Sequence, residues 1–82
     1  MKAQTQTFEL LVDGTPYEVK ATPYEYNAET RFRVTFNGSP IYIFVWDSEM
    51  KRLSAIGEGT DTIPDNLEEA ISNQLERLMQ NA

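Results

Sequence analysis

Between Thr7 and Ile56, apart from the stretch 41–46, most apolar residues recur at every second position, and from Ile63 they recur at every third or fourth. A period of two is that of a strand with one buried face, and a period near 3.6 is that of an amphipathic helix. A chain that changes period once, with polar turns between its alternating segments, is constrained to a sheet followed by a helix.

The alternating part breaks into five segments. Phe8, Leu10 and Val12 alternate with Thr7, Glu9 and Leu11, and Asp13-Gly14 then marks a hairpin. Tyr17, Val19 and Ala21 follow against Glu18, Lys20 and Thr22. A two-residue loop pairs Glu9 with Glu18, whereas a four-residue loop, 13–16, pairs Glu9 with Lys20; the second avoids opposed like charges and is preferred. Pro23 cannot donate to a ladder, so it belongs at a bulge or where a neighbouring strand has ended. "NAET", 27–30, reads as a turn before "RFRVTF". Asn37-Gly38 is the strongest hairpin signal, "DSEMKR" is a further turn, and "LSAIG" is a short fifth strand. These connections predict an α+β fold, a five-stranded antiparallel meander sheet with one C-terminal helix packed on one face. Residues 1–6 are polar without a period and read as a disordered tail, leaving 7–82 as a single α+β domain.

In the helix, Leu67, Ile71, Leu75, Leu78 and Met79 share one face. Pro64 suits a first turn, and Thr62 with Asp65 or Asp65 with Glu68 resembles a capping box. Ile71 is expected at the centre of the contact, against Val34 and Ile43.

The stretch "PIYIFVWD", 40–47, does not alternate. With a two-residue loop at Asn37-Gly38, Val34 faces Ile41 and Phe32 faces Ile43. Ile41, Ile43 and Val45 then lie under the helix, and Tyr42, Phe44 and Trp46 point to the opposite face beside Arg31 and Arg33. Tyr24 and Tyr26 point there too if the second strand continues past Pro23. A three-residue loop with a bulge swaps this assignment, because a one-residue slip exchanges every side chain between faces. The expected binding face is therefore Arg31, Arg33, Tyr42, Phe44, Trp46, Tyr24 and Tyr26. Aromatics and Arg are enriched at interface hot spots, although cross-strand packing under Arg stems also accounts for such a cluster.

Charge narrows the choice of partner. Residues 1–56 carry seven acidic and six basic residues, and residues 57–82 carry six acidic residues and Arg77 alone. A near-neutral first part and an acidic end argue against nucleic acid and anionic membrane. Single-stranded nucleic acid stacking on the sheet aromatics is an alternative, as is an acidic decoy or inhibitor acting through the C-terminal loop and helix. With no His and no Cys, neither the commonest general base nor the best nucleophile is present, and no catalytic residue is assigned. "EGTDTIPDNLEE" lacks the EF-hand spacing and reads as a helix start, so no metal or cofactor is expected. No run approaches a membrane span, and the lack of Cys fits a reducing, cytoplasmic setting. The reading is a small non-enzymatic protein-binding or assembly module, its partner another protein or a second copy in a homodimer.

Overall fold

The computed structural model describes residues 4–57 and 59–80, with Asp61 and Gln80 described by backbone alone. Five strands, β1 (Gln6–Val12), β2 (Thr15–Tyr26), β3 (Glu29–Phe36), β4 (Tyr42–Asp47) and β5 (Arg52–Ile56), form one antiparallel sheet in chain order. A 3-10 turn, Thr60–Thr62, leads into helix α1 (Asp65–Gln80). The expected meander and C-terminal helix are both present. Among the described residues no helix is long and apolar enough to cross a membrane.

Each tight connection follows from its residues. Asp13 and Gly14 both have positive φ, as do Asn27 and Ala28, the requirement of the two-residue turn whose twist matches the flanking strands. The first hairpin therefore closes as a two-residue loop, and Glu9 stands opposite Glu18. This corrects the four-residue loop expected from charge. Both carboxylates are exposed, so water and salt screen a repulsion that is small beside the preference of Asp-Gly for this turn. The Asn27-Ala28 turn is likewise shorter than the expected 27–30, with Tyr26 opposite Glu29. Pro23 sits two residues beyond Ala21, where pairing with β1 has stopped, while pairing with β3 continues opposite Phe32.

At the N-terminus the sheet starts earlier than expected. Gln6 pairs with Ala21, and the Thr5 and Thr22 hydroxyls are 2.7 Å apart. Residues 1–3 of the expected tail lie outside the described residues.

The core lies between the sheet and α1. Val19, Ala21, Phe32, Val34, Tyr42, Phe44 and Leu53 are buried from the sheet, and Ile63, Leu67, Ile71 and Leu75 from the helix side. Leu78 is half-buried and Met79 exposed, so the apolar stripe weakens in the last turn. The helix lies along β5 and also approaches β1, so both edge strands flank it. The expected capping boxes are absent from the described residues. Pro64 is the N-cap, its carbonyl accepting from Glu68 N–H at 2.9 Å; the Thr62 hydroxyl donates to the Gly59 carbonyl, and the Glu68 carboxylate turns to β5.

The β3–β4 connection sets which face β4 presents. Ser39 N–H donates to the Phe36 carbonyl at 2.9 Å, one of the two bonds of a two-residue hairpin. The reciprocal bond is replaced: Phe36 N–H donates to the Ser39 hydroxyl at 3.0 Å instead of to a carbonyl. Asn37 is tied to β2, its N–H donating to the Glu18 carbonyl and its side-chain oxygen accepting from Glu18 N–H. Pro40 has no N–H to offer the ladder. The first β3–β4 pair is consequently Val34 with Tyr42, followed by Arg33 with Ile43 and Phe32 with Phe44. Relative to a two-residue loop this is a slip of one, and it exchanges the faces of the whole strand.

Candidate binding face

That slip corrects the expected site. Phe44 is 0% exposed and Tyr42 is 9% exposed, both on the helix side of the sheet. Tyr42 stacks on Phe36 at 5.6 Å, Phe36 meets the edge of Tyr17 at 6.0 Å, and the Tyr42 hydroxyl lies 3.2 Å from that of Thr62. Trp46 pairs with the buried Leu53, so it too belongs to the helix side, at the margin, where it remains 44% exposed. Tyr42, Phe44 and Trp46 therefore leave the outer face. Ile43 and Val45 take their place and are half-buried there, so Ile71 packs on the helix side and cannot meet Ile43 through the sheet.

Tyr24, Tyr26, Arg31 and Arg33 do share the outer face. Thr22 pairs with Arg33, Tyr24 with Arg31, and Tyr26 with Glu29. Each arginine leans diagonally by one pair. The Arg31 guanidinium carbon is 4.5 Å from the centre of the Tyr26 ring, and that of Arg33 is 4.2 Å from the centre of Tyr24. Stacks of this kind are worth about 0.5–1 kcal/mol each at exposed sites. At that value each stack biases the orientation of its Arg and Tyr without locking it. Arg31 Nε also donates to Glu29 Oε1 at 3.1 Å. This bond and the Glu29 charge raise the Arg31 pKa above its already high ordinary value, against a smaller opposing effect of desolvation, and the group stays cationic. Among the described residues Arg33 has no carboxylate partner.

Beside these stacks runs an apolar strip of residues expected under the helix or left unassigned to a face. Arg33 pairs with Ile43, and Ile43 with Ile56, so one row crosses β3, β4 and β5. Val45 lies next to Ile43 on the same face and pairs with Ser54, whose hydroxyl donates to Met50 Sδ at 3.8 Å. Ile43, Val45 and Ile56 were legible as strand residues; only their side of the sheet was not. Toward the other end of β1 and β2 the same face carries Glu9, Glu18 and Lys20. No element among the described residues covers it.

The acidic segment does not converge. Glu58 and the Asp61 side chain lie outside the described residues, Asp65 and Glu69 are exposed, and Glu68 is bound to Ala55 and near Arg52. Among the described residues no three acidic side chains come together as a metal site.

A comparison with protein-family models finds no matching family, and curated proteins and solved structures likewise give no match.

Proposed function

We propose that this protein is a small non-enzymatic binding or assembly module of the cytoplasm that works through the outer face of its sheet. Tyr24, Tyr26, Arg31 and Arg33 would be its polar and aromatic anchors, and Ile43, Val45 and Ile56 its apolar strip. The observation that carries this reading is the pair of Arg–Tyr stacks. They bring two cations and two rings together on a sheet face that no element of the described chain covers. Pre-ordered side chains lose less entropy on association, and Tyr and Arg are the residue types most enriched at hot spots. The partner class that fits is a protein segment with apolar side chains flanked by carboxylates, one for Arg33 and one near Arg31.

The alternatives draw less support. Stacking of nucleic-acid bases needs free ring faces, and Tyr24 and Tyr26 each have one face under a guanidinium. An acidic decoy surface would lose Glu68, which is turned inward to β5.

The test is capture of partners from source lysate by the immobilised protein. Arg31→Glu with Arg33→Glu should abolish capture while costing no more than about 1–2 kcal/mol in urea unfolding, the value of the two stacks it removes. Glu69→Gln with Glu76→Gln should leave capture intact. Loss with the second pair and retention with the first would reverse the assignment in favour of the acidic helix.

A further inference from the structure

The two edges of the sheet are treated differently. β5 is five residues long, α1 lies along it, and Glu68 accepts from the outward-facing Ala55 N–H at 3.0 Å. β1 is seven residues long, "QTFELLV", with no Pro, no Lys and no bulge, and Glu9 is its one charge. Natural sheets blunt an exposed edge with those devices, and a long regular edge without them is a template for another strand.

The first hairpin shows which groups β1 leaves free. In a two-residue hairpin the closing pair, here Val12 with Thr15, is hydrogen-bonded, and hydrogen-bonded pairs then alternate along the ribbon. Leu10, Phe8 and Gln6 therefore bond to β2, and the N–H and C=O groups of Thr7, Glu9 and Leu11 point outward. Among the described residues no loop, cap or side chain bonds to them. The side chains along the edge are also incompletely covered. Leu11 is 75% exposed, and Phe8, Leu10 and Val12 are only half-buried on the helix side.

We propose that the β1 edge pairs antiparallel with β1 of a second copy, about a two-fold axis perpendicular to the sheet, to form one continuous sheet. The incoming strand must place apolar side chains at alternate positions on the helix side and keep a carboxylate away from Glu9, which already faces Glu18. β1 itself meets both conditions when Leu10 of one copy lies opposite Leu10 of the other. Phe8 then lies beside Val12 of the other copy and extends the half-buried row. Glu9 meets Leu11 across a hydrogen-bonded pair, in place of a Glu9–Glu9 encounter. The contact is closed, as two-fold interfaces are, and leaves no new edge at β1. It also sets both Arg–Tyr faces on the same side of the joined sheet.

This inference is independent of the outer-face reading, because it rests on the backbone groups and side chains of β1 and uses neither Arg–Tyr stack. Sedimentation of the full chain from millimolar to low micromolar concentration should show a dimer dissociating to a monomer. Glu9→Pro removes one outward N–H, a change an edge strand tolerates, and should give a monomer at every concentration with an unchanged circular dichroism spectrum. The chain has no cysteine, so Leu10→Cys gives a clean second readout. It should cross-link to a covalent dimer under mild oxidation, and Thr7→Cys should not. A wild-type protein that stays monomeric at millimolar concentration, a dimer that survives Glu9→Pro, or equal cross-linking at both positions would each overturn the proposal.

Discussion

The Glu68 carboxylate of the helix accepts a hydrogen bond from the Ala55 N–H of the edge strand β5 at 3.0 Å, and its other oxygen lies 3.8 Å from Arg52 Nη2. Two residues earlier on the same helix, the Asn66 amide donates to the Asp13 carboxylate at the β1–β2 turn. Two positions of one helical turn thus tie the helix start to elements at opposite edges of the sheet. Truncating Glu68 removes the acceptor of a part-buried N–H. Glu68→Ala should destabilise by about 1–3 kcal/mol, the usual cost of an unmade buried bond. Glu68→Gln keeps an amide oxygen for Ala55 and should cost less. Urea unfolding of both variants checks the order, and equal losses would mean that charge, and not the acceptor, is what Ala55 and Arg52 need.

The face assignment of β4 is open to a direct comparison. Phe44 is fully buried, and Phe44→Ala should cost about 3–5 kcal/mol. Tyr26 is 52% exposed on the outer face, and Tyr26→Ala should cost no more than about 1 kcal/mol, the value of its stack with Arg31. Comparable losses at the two positions in chemical denaturation would contradict the register Val34–Tyr42.

Ile71 lies between Leu67 and Leu75, one helical turn from each, and all three are fully buried. Ile71→Ala should cost about 2–5 kcal/mol. Because Ile43 is on the other side of the sheet, Ile43→Ala should cost clearly less and should not couple to Ile71→Ala in a double-mutant cycle, beyond the roughly 0.3–0.5 kcal/mol scatter of independent sites.

Ser72 is fully buried on the helix, and its hydroxyl has no partner among the described residues. A buried hydroxyl without a bond carries a desolvation cost and returns nothing for it. Ser72→Ala removes the group without adding volume and should leave stability unchanged or raise it, by up to about 1 kcal/mol. A loss of stability on thermal unfolding would reveal a bonded hydroxyl.

Ala28 has φ 62° at the second position of the β2–β3 turn, a left-handed conformation that a Cβ disfavours by about 1–2 kcal/mol. Ala28→Gly relieves that strain but also adds freedom to the unfolded chain, worth about 0.4–1 kcal/mol in the opposite direction. The net expectation is a gain of about 0.5–1 kcal/mol, read as a higher urea midpoint. An unchanged or lower midpoint would show that the turn is not strained at this position.

Periodicity and turn dipeptides are local signals, and what they carried was local. The number and order of strands, the hairpins at Asp13-Gly14 and Asn37-Gly38, the core stripe Leu67–Ile71–Leu75 and the shared face of Arg31 and Arg33 all followed from spacing alone. Tyr24 and Tyr26 join them on condition that β2 runs on past Pro23, and the pairing with β3 meets that condition. The side of Tyr42, Phe44 and Trp46 could not. In "PIYIFVWD" both alternating sets are apolar, so hydrophobicity gave no preference between two registers one residue apart. That choice fell to two bonds at the turn that periodicity does not report: Asn37 to Glu18, distant in sequence on β2, and the Ser39 hydroxyl in place of a carbonyl at Phe36 N–H. The inward turn of Glu68 was decided the same way, since a carboxylate in a first helical turn suits the dipole whichever way it points, and only the docking of α1 along β5 brought an unpaired N–H within its reach.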